Sequence, residues 1–213
     1  MKIDLCSQGG VEWIQKRLGV VTASEIDSLV TPLFKQKEGK AVATYLYEKI
    51  TERATGAPLK TDTAWQQSAA MEQGVILETE ALPWFAVMHD DLKVSRVGLC
   101  ITDDGRAGCS PDGLIGEDGG IEIKCPEPVR QVRYLIEGVV PEAYLPQIHF
   151  SMLVTGRPWW MFLSYARAFP PLLIRVERDE AIQAKLAVAL ANFNAMFDAA
   201  WAKVEQWPSA RKH

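Results

Sequence analysis

Three side chains near the middle of the sequence have the types and spacing to act together on a phosphate. Asp112 lies in Ser110-Pro111-Asp112-Gly113-Leu114, and Glu122-Ile123-Lys124 follows ten residues after it. Side chains alternate along a strand, so Glu122 and Lys124 share one face while Ile121 and Ile123 take the other. A hairpin closed at Glu117-Asp118-Gly119-Gly120 brings the start of one strand, near Asp112, beside the end of the next. Two carboxylates and a lysine then converge on one patch. Mg²⁺ takes oxygen ligands, commonly one or two carboxylates with phosphate oxygens and water. Such a cation polarises phosphorus and lowers the pKa of bound water, which a lysine can orient or deprotonate. The neighbouring cation pushes that lysine towards its neutral form. The bland alternative is a surface ion pair on an exposed sheet face. The Pro-Asp pair, the turn-forming Gly113 and the Cys125-Pro126 stop favour the reactive reading.

The surrounding pattern is helical before this segment and mainly extended through it. Residues 12–18, 24–30 and 40–55 read as helices, the last ended by Gly56 and Pro58, and 60–70 as loop. Residues 74–89 are helical in pattern, with Pro83 expected to kink the helix or force a new start. Strands are expected over 94–101, 107–115, 120–124, 159–165 and 172–176, with helices over 141–154 and 179–204. Helices bracketing a central mixed sheet give an α/β or α+β fold, expected as one domain over 1–213.

Composition narrows the function classes. The chain of 213 residues carries a net charge of −4, but residues 61–125 alone hold twelve acidic groups against four basic ones. A generally basic nucleic-acid coat is excluded, and so is a disordered acidic tail, because that third is also apolar. No apolar run reaches the ~18 residues of a membrane span. The opening MKIDLCSQGG does not read as a signal peptide, so the expectation is a soluble, cytoplasmic protein with no membrane partner. Cys6, Cys100, Cys109 and Cys125 contain no C-x-x-C pair and read as reduced, mostly buried thiols rather than a zinc or iron–sulfur site.

Pro111-Asp112 followed by Glu122-Ile123-Lys124 resembles the PD-(D/E)xK nuclease motif, which implies a restriction-endonuclease-like core. More narrowly, AGCSPDGLIGEDGGIEIKCP looks like the lambda-exonuclease/YqaJ group of phage recombination nucleases, with the likeness running from about Trp13 to Tyr165. The resemblance implies that Asp112, Glu122 and the backbone carbonyl of Ile123 bind metal and that Lys124 assists the attacking water. Gly74-Val-Ile-Leu-Glu78-Thr-Glu80-Ala81 is similar to the family's helix that adds an acidic ligand, and Glu78 is the matching position; Glu80 is expected to be solvated or a supporting partner. Trp13-x-x-x-Arg17-Leu-Gly-Val-Val-Thr22-Ala23-Ser24-Glu25 resembles the segment that holds a terminal 5′-phosphate. That role is implied for Arg17 and Ser24, with Thr22 and Ser110 in the same DNA-binding set. Ser24 with Asp27 also reads as a helix N-cap, whose free N–H groups and dipole favour an anion. Tyr144-Leu-Pro-Gln147-Ile-His149 resembles a later helix of the family that would set Gln147 near the scissile phosphate.

The implied activity is a Mg²⁺-dependent, processive 5′-to-3′ exonuclease on double-stranded DNA. It would hold about two ions per site, with Mn²⁺ as a possible substitute. It would release mononucleotides and leave a 3′ single strand. A homotrimeric ring around DNA ends and a phage single-strand annealing protein as partner are implied as well, in a bacterial host. Rival readings are an endonuclease or RecB-like nuclease on the same core, and a catalytically silent DNA-end-binding module. Lys35, Lys37, Lys40, Lys49 and Arg53 either face a DNA channel or are simply solvated. His149 reads as structural, and Trp159-Trp160 as core.

Overall fold

Alternation of apolar residues through 113–124 builds a tight antiparallel hairpin around which the chain is organised. A computed structural model describes residues 1–59 and 69–206. In chain order the first elements are β1 (Lys2–Asp4), α1 (Val11–Arg17), β2 (Val21–Thr22), a 3-10 helix (Ala23–Ser28), α2 (Lys40–Thr55) and α3 (Ala69–Met88). Then come β3 (Val94–Ser95), β4 (Leu99–Ile101), β5 (Ala107–Cys109), β6 (Gly113–Ile115) and β7 (Gly119–Lys124). The remainder comprises α4 (Pro128–Glu137), a 3-10 turn (Glu142–Tyr144), α5 (Leu145–Thr155), β8 (Trp159–Ser164), β9 (Leu172–Glu177) and α6 (Glu180–Gln206).

The class expected from the sequence is found, with one correction: the sheet is two sheets. One has the order β1-β4-β5-β2 and the other β3-β6-β7-β8-β9, and each mixes parallel with antiparallel pairs. The stretches 94–101 and 107–115, expected as single strands, each leave one sheet and enter the other. At Gly98 the crossing chain presses against the N-terminal segment so closely that a Cβ would lie 1.9 Å from the Cys6 carbonyl oxygen. At Ser110-Pro111-Asp112 the second crossing places the acidic residue where the chain changes sheets.

The five-stranded sheet is covered on both faces. Ile121, Ile123 and Leu163 pack with Ala81, Leu82 and Phe85 of α3 on one side. Trp160 and Phe162 pack into the larger core with α2, α5 and α6 on the other. Both tryptophans are buried, as the sequence predicts. The Trp160 ring lies over Gly120, where a Cβ would come within 2.4 Å of it.

Several local expectations change. Helix 24–30 is instead a six-residue 3-10 helix whose N-cap is Thr22, and no side chain caps it. Pro83 sits inside an uninterrupted α3; it is exposed, and so is Thr79, whose carbonyl it cannot bond, which limits the cost of the lost hydrogen bond. β7 ends at Lys124, before the expected Cys125-Pro126 stop, and helix α4, absent from the sequence reading, follows from Pro128. Pro128 is in its first turn, a position where the missing N–H is harmless. The predicted loop 60–70 falls outside the described residues except for its end, which belongs to α3.

Candidate active site

On β7, Glu122 and Lys124 occupy the sheet face covered by α5 and pair at 2.6 Å. Gln147, early in α5, donates its Nε2 to the same Glu122 oxygen at 2.6 Å. Glu122 is only 4% exposed, and an unpaired carboxylate so placed would cost several kcal/mol. The lysine and the amide together offset that cost and fix its orientation.

Register explains how Asp112 and Ile123 come together. β6 pairs with β7 through Gly113↔Ile121, so the next hydrogen-bonding position sets Pro111 opposite Ile123. Proline has no N–H for the Ile123 carbonyl, and the Pro111 carbonyl is taken by Gln8 Nε2 at 2.9 Å, so the ladder stops there. The Ile123 amide is taken instead by Asp112 Oδ2 at 2.6 Å. The Ile123 carbonyl points to the same strand edge and receives no N–H from Pro111, which leaves its lone pairs for another partner.

Glu78 reaches the site from α3. It shares the helix face of Ala81, Leu82 and Phe85, and with Asp112 and Ile123 it lines a cavity of about 340 Å³. On the other side, Glu78 and Lys124 line a second cleft of about 810 Å³ with Arg130, Tyr144 and Arg167. Burial pushes the Asp112 carboxyl well above its ordinary range; Glu122 and Glu78 add to this, against the Ile123 amide and Lys124. Burial likewise raises Glu78, with Lys124 opposing and Glu122 adding. Burial pushes the Cys125 thiol up to about 12, with Glu78, Asp112 and Glu80 adding and Lys124 opposing.

Lys124 sits against Glu122 in this network. Burial works to lower its pKa, but the charge and hydrogen bond of Glu122, with Asp112, outweigh burial and hold it above the ordinary lysine value. Glu80 faces away from the centre and pairs with Arg167 on the surface.

The donor set suits a hard divalent cation in chemistry: buried oxygens, mutually repelling carboxylates and a carbonyl with no strand partner. Among the described residues no three His, Cys, Asp or Glu side chains are already grouped closely enough to chelate one ion. Glu122 is turned onto Lys124 and Gln147, and Asp112 onto the Ile123 amide.

A second cluster adjoins the first through Ser110. Arg17 Nη1 donates to Ser110 Oγ at 3.3 Å, and Nη2 donates to Thr22 Oγ1 at 3.3 Å and Ser24 Oγ at 3.1 Å. The guanidinium stacks 4.2 Å from the centre of the Trp13 ring. Among the described residues no carboxylate lies within ion-pair distance of Arg17, so a half-buried cation faces only hydroxyls. The capping role expected for Ser24 is not found; its hydroxyl serves Arg17 instead.

Four supporting residues have no role assigned in the sequence reading. Trp13, which opens the Trp13-x-x-x-Arg17 motif, donates Nε1 to Ser110 Oγ at 2.8 Å and backs Arg17 from one helical turn away. Gln8 ties the Val97 and Pro111 carbonyls, each at 2.9 Å, across both sheet crossings. Arg157 clamps the hairpin tip through the carbonyls of Ile115, Gly116 and Gly119. Tyr144 sets its ring 5.4 Å from Lys124 Nζ. Gln8 and Arg157 carry no local sequence signal.

Lys49, one of the residues considered for a DNA channel, is buried between Glu25 at 2.9 Å and Glu52 at 3.1 Å. Arg53 stacks on Phe197 and Trp201, and Lys37 donates to the Asp27 carbonyl at 2.6 Å. Lys35 and Lys40 are exposed. His149 is buried as expected, its ring edge-on to Phe34. All four cysteines are free, with Cys100 and Cys109 buried.

A mixed sheet whose central hairpin carries Asp112, Glu122 and Lys124, flanked by helices, defines the PD-(D/E)xK fold class. Within it the chain belongs to the family of YqaJ-like viral recombinase domains, whose model matches residues 12–158. An alkaline exonuclease from Laribacter hongkongensis, LHK-Exo, is 30% identical with a TM-score of 0.80, over 92% of this chain and 97% of that one. The same enzyme in complex with dAMP matches at 31% identity and TM-score 0.80, over the same shares of the two chains. A phage-related exonuclease from Haemophilus somnus 129PT shares the fold at 11% identity and TM-score 0.61, over 87% of this chain and 96% of that one. No protein of curated function matches the chain. Among the described residues no helix is long and apolar enough to cross a membrane.

Proposed function

We propose that this protein is a divalent-metal-dependent 5′-to-3′ exonuclease that acts on the ends of double-stranded DNA. One observation carries the reading. Ser110, two residues before Asp112, belongs to the Arg17 cluster, so a guanidinium ringed by hydroxyls adjoins the carboxylate centre along a single turn. A pocket there suits a terminal 5′-phosphate and sets the next phosphodiester against Asp112, Glu122 and Lys124. An enzyme that cuts within a chain has no need of such an end-stop.

Glu78, Asp112, Glu122 and the Ile123 carbonyl would hold Mg²⁺, up to two ions, with Mn²⁺ as substitute. Bound there, the metal supplies charge for the phosphoryl oxygens and a lowered pKa for water. The chain's own residues do the rest. Lys124, beside Glu122, assists the attacking water by orienting or deprotonating it. Gln147 holds Glu122 in register with it. Arg17 with Ser24, Thr22 and Ser110 grips the end phosphate, and Trp13 holds the guanidinium plane. Contacts to backbone phosphates alone make cutting tolerant of sequence and sensitive to salt. Family membership extends the proposal to processive digestion by a homotrimeric ring, in a bacterial host, with the 3′ strand passed to a phage annealing protein.

The test compares linear duplex bearing 5′-phosphate, the same duplex with 5′-hydroxyl, and a closed circle, each with Mg²⁺ and with EDTA. Nucleotide release is expected from the phosphorylated ends, more slowly from hydroxyl ends, and from neither in EDTA. Cutting of the closed circle makes the protein an endonuclease. Absence of release from every substrate, with ends still bound, makes it a silent end-binding module.

A further inference from the structure

We infer that Lys49 is a positioning residue for the anion pocket, acting by holding Glu25 away from Arg17. The inference rests on the phosphate reading of that pocket and adds to it the device that keeps the pocket open. Thr22 Oγ1 touches both sides of the problem: it accepts from Arg17 Nη2 at 3.3 Å and donates to Glu25 Oε2 at 2.9 Å. The nearest carboxylate to Arg17 is therefore one hydroxyl away. An arginine fork and a carboxylate at that range ordinarily close into a direct pair, a stronger contact than any hydroxyl offers.

Three groups hold Glu25 back. Lys49 Nζ meets its Oε2 at 2.9 Å, Tyr45 donates its hydroxyl to the same oxygen at 3.3 Å, and Thr22 completes the set. Lys49 also takes Glu52 Oε2 at 3.1 Å, and that oxygen accepts the Gly19 amide at 3.0 Å at the end of the Arg17 helix. At 3% exposure Lys49 has no solvent role; without it Glu52 keeps the Gly19 amide, whereas Glu25 is free to turn onto Arg17. Arg17 is thereby left with hydroxyl partners that an arriving phosphate can share rather than a carboxylate it would have to displace. The ligand is a phosphate monoester at a DNA end.

The experiment measures binding of 5′-phosphorylated and 5′-hydroxyl duplexes in EDTA by fluorescence anisotropy, and the steady-state constants with Mg²⁺. Wild type, Lys49→Met and Lys49→Met/Glu25→Gln are compared below their unfolding midpoints. In Lys49→Met the preference for phosphorylated ends is expected to fall at least ~10-fold, with the loss in KM rather than kcat, because Glu25 now occupies Arg17. In the double variant no charge remains at position 25 to compete, and the preference returns to within ~3-fold of wild type. A folded Lys49→Met protein with the wild-type preference overturns the inference, as does a folded double variant that fails to recover it. Should Lys49→Met not fold, the double variant still decides, since a ~10-fold loss there excludes sequestration of Glu25 as the role of Lys49. A wild type without any preference for phosphorylated ends overturns the pocket reading itself instead.

Discussion

Asp112 and Ile123 are joined by a hydrogen bond at the point where the chain crosses between two sheets. The Ile123 amide finds no acceptor in a continuing ladder and takes the Asp112 carboxylate at 2.6 Å, while its carbonyl is left open. Pro111 leaves the Ile123 carbonyl without a donor, and with the Pro111 carbonyl held by Gln8 the Ile123 amide is left to orient Asp112.

This arrangement stores repulsion among Asp112, Glu122 and Glu78. Asp112→Asn retains an acceptor for the Ile123 amide and removes one charge. Nucleotide release is expected to fall by about 10³-fold, the scale of losing a group that stabilises transition-state charge. The thermal midpoint is expected to rise by about 2–4 °C in metal-free buffer, for about 1 kcal/mol of relieved repulsion. Mg²⁺ at ~100 times its Kd is expected to stabilise the wild type by about 2.7 kcal/mol and the variant much less. Calorimetry with and without EDTA checks both.

Arg17→Lys keeps the charge and removes the planar fork that reaches Ser110, Thr22 and Ser24 at once. A lysine cannot serve three hydroxyls and stack on Trp13 in the same pose. KM for 5′-phosphorylated ends is expected to rise by about 10- to 100-fold, corresponding to one or two charge-assisted hydrogen bonds. Initial rates across a substrate series check it, and an unchanged KM excludes bidentate recognition.

His149 makes stability fall on the acid side. Burial lowers its pKa below the ordinary 6.5, with Asp179 opposing and Arg178 adding, so the unfolded chain takes up a proton that the native state refuses. Its contribution is whole above pH 6.5 and is lost as pH falls from there through the native value. The slope for one such proton is at most about 1.4 kcal/mol per pH unit. Urea midpoints between pH 5 and 8 are expected to fall less steeply towards acid in His149→Gln.

Gly98→Ala puts a methyl group 1.9 Å from the Cys6 carbonyl oxygen, against backbone that cannot rotate away. The strand crossing and the β1 segment must separate, at a cost of about 3 kcal/mol. Because Gln8 bridges the same crossing to Pro111, activity is expected to fall along with the melting temperature. A variant that melts at the wild-type temperature contradicts the close approach.

The amino-acid sequence by itself determined the elements whose signals are local. Helix 40–55 was readable to the residue because Gly56 stops it. The meeting of Asp112 with Glu122-Ile123-Lys124 followed from alternation and a short turn, since both act within about a dozen residues. Tertiary structure alone decided what depends on distant partners. The sheet divides in two where Gly98 touches Cys6 and where Pro111 interrupts a ladder, and neither residue announces this in its own segment. Arg17 finds Ser110 across 93 residues. Lys49 on a polar helix surface reads as solvated until Glu25 and Glu52 close over it. A charge pattern along one helix records which residues are ionised, but only packing determines which of them meet water and which meet each other.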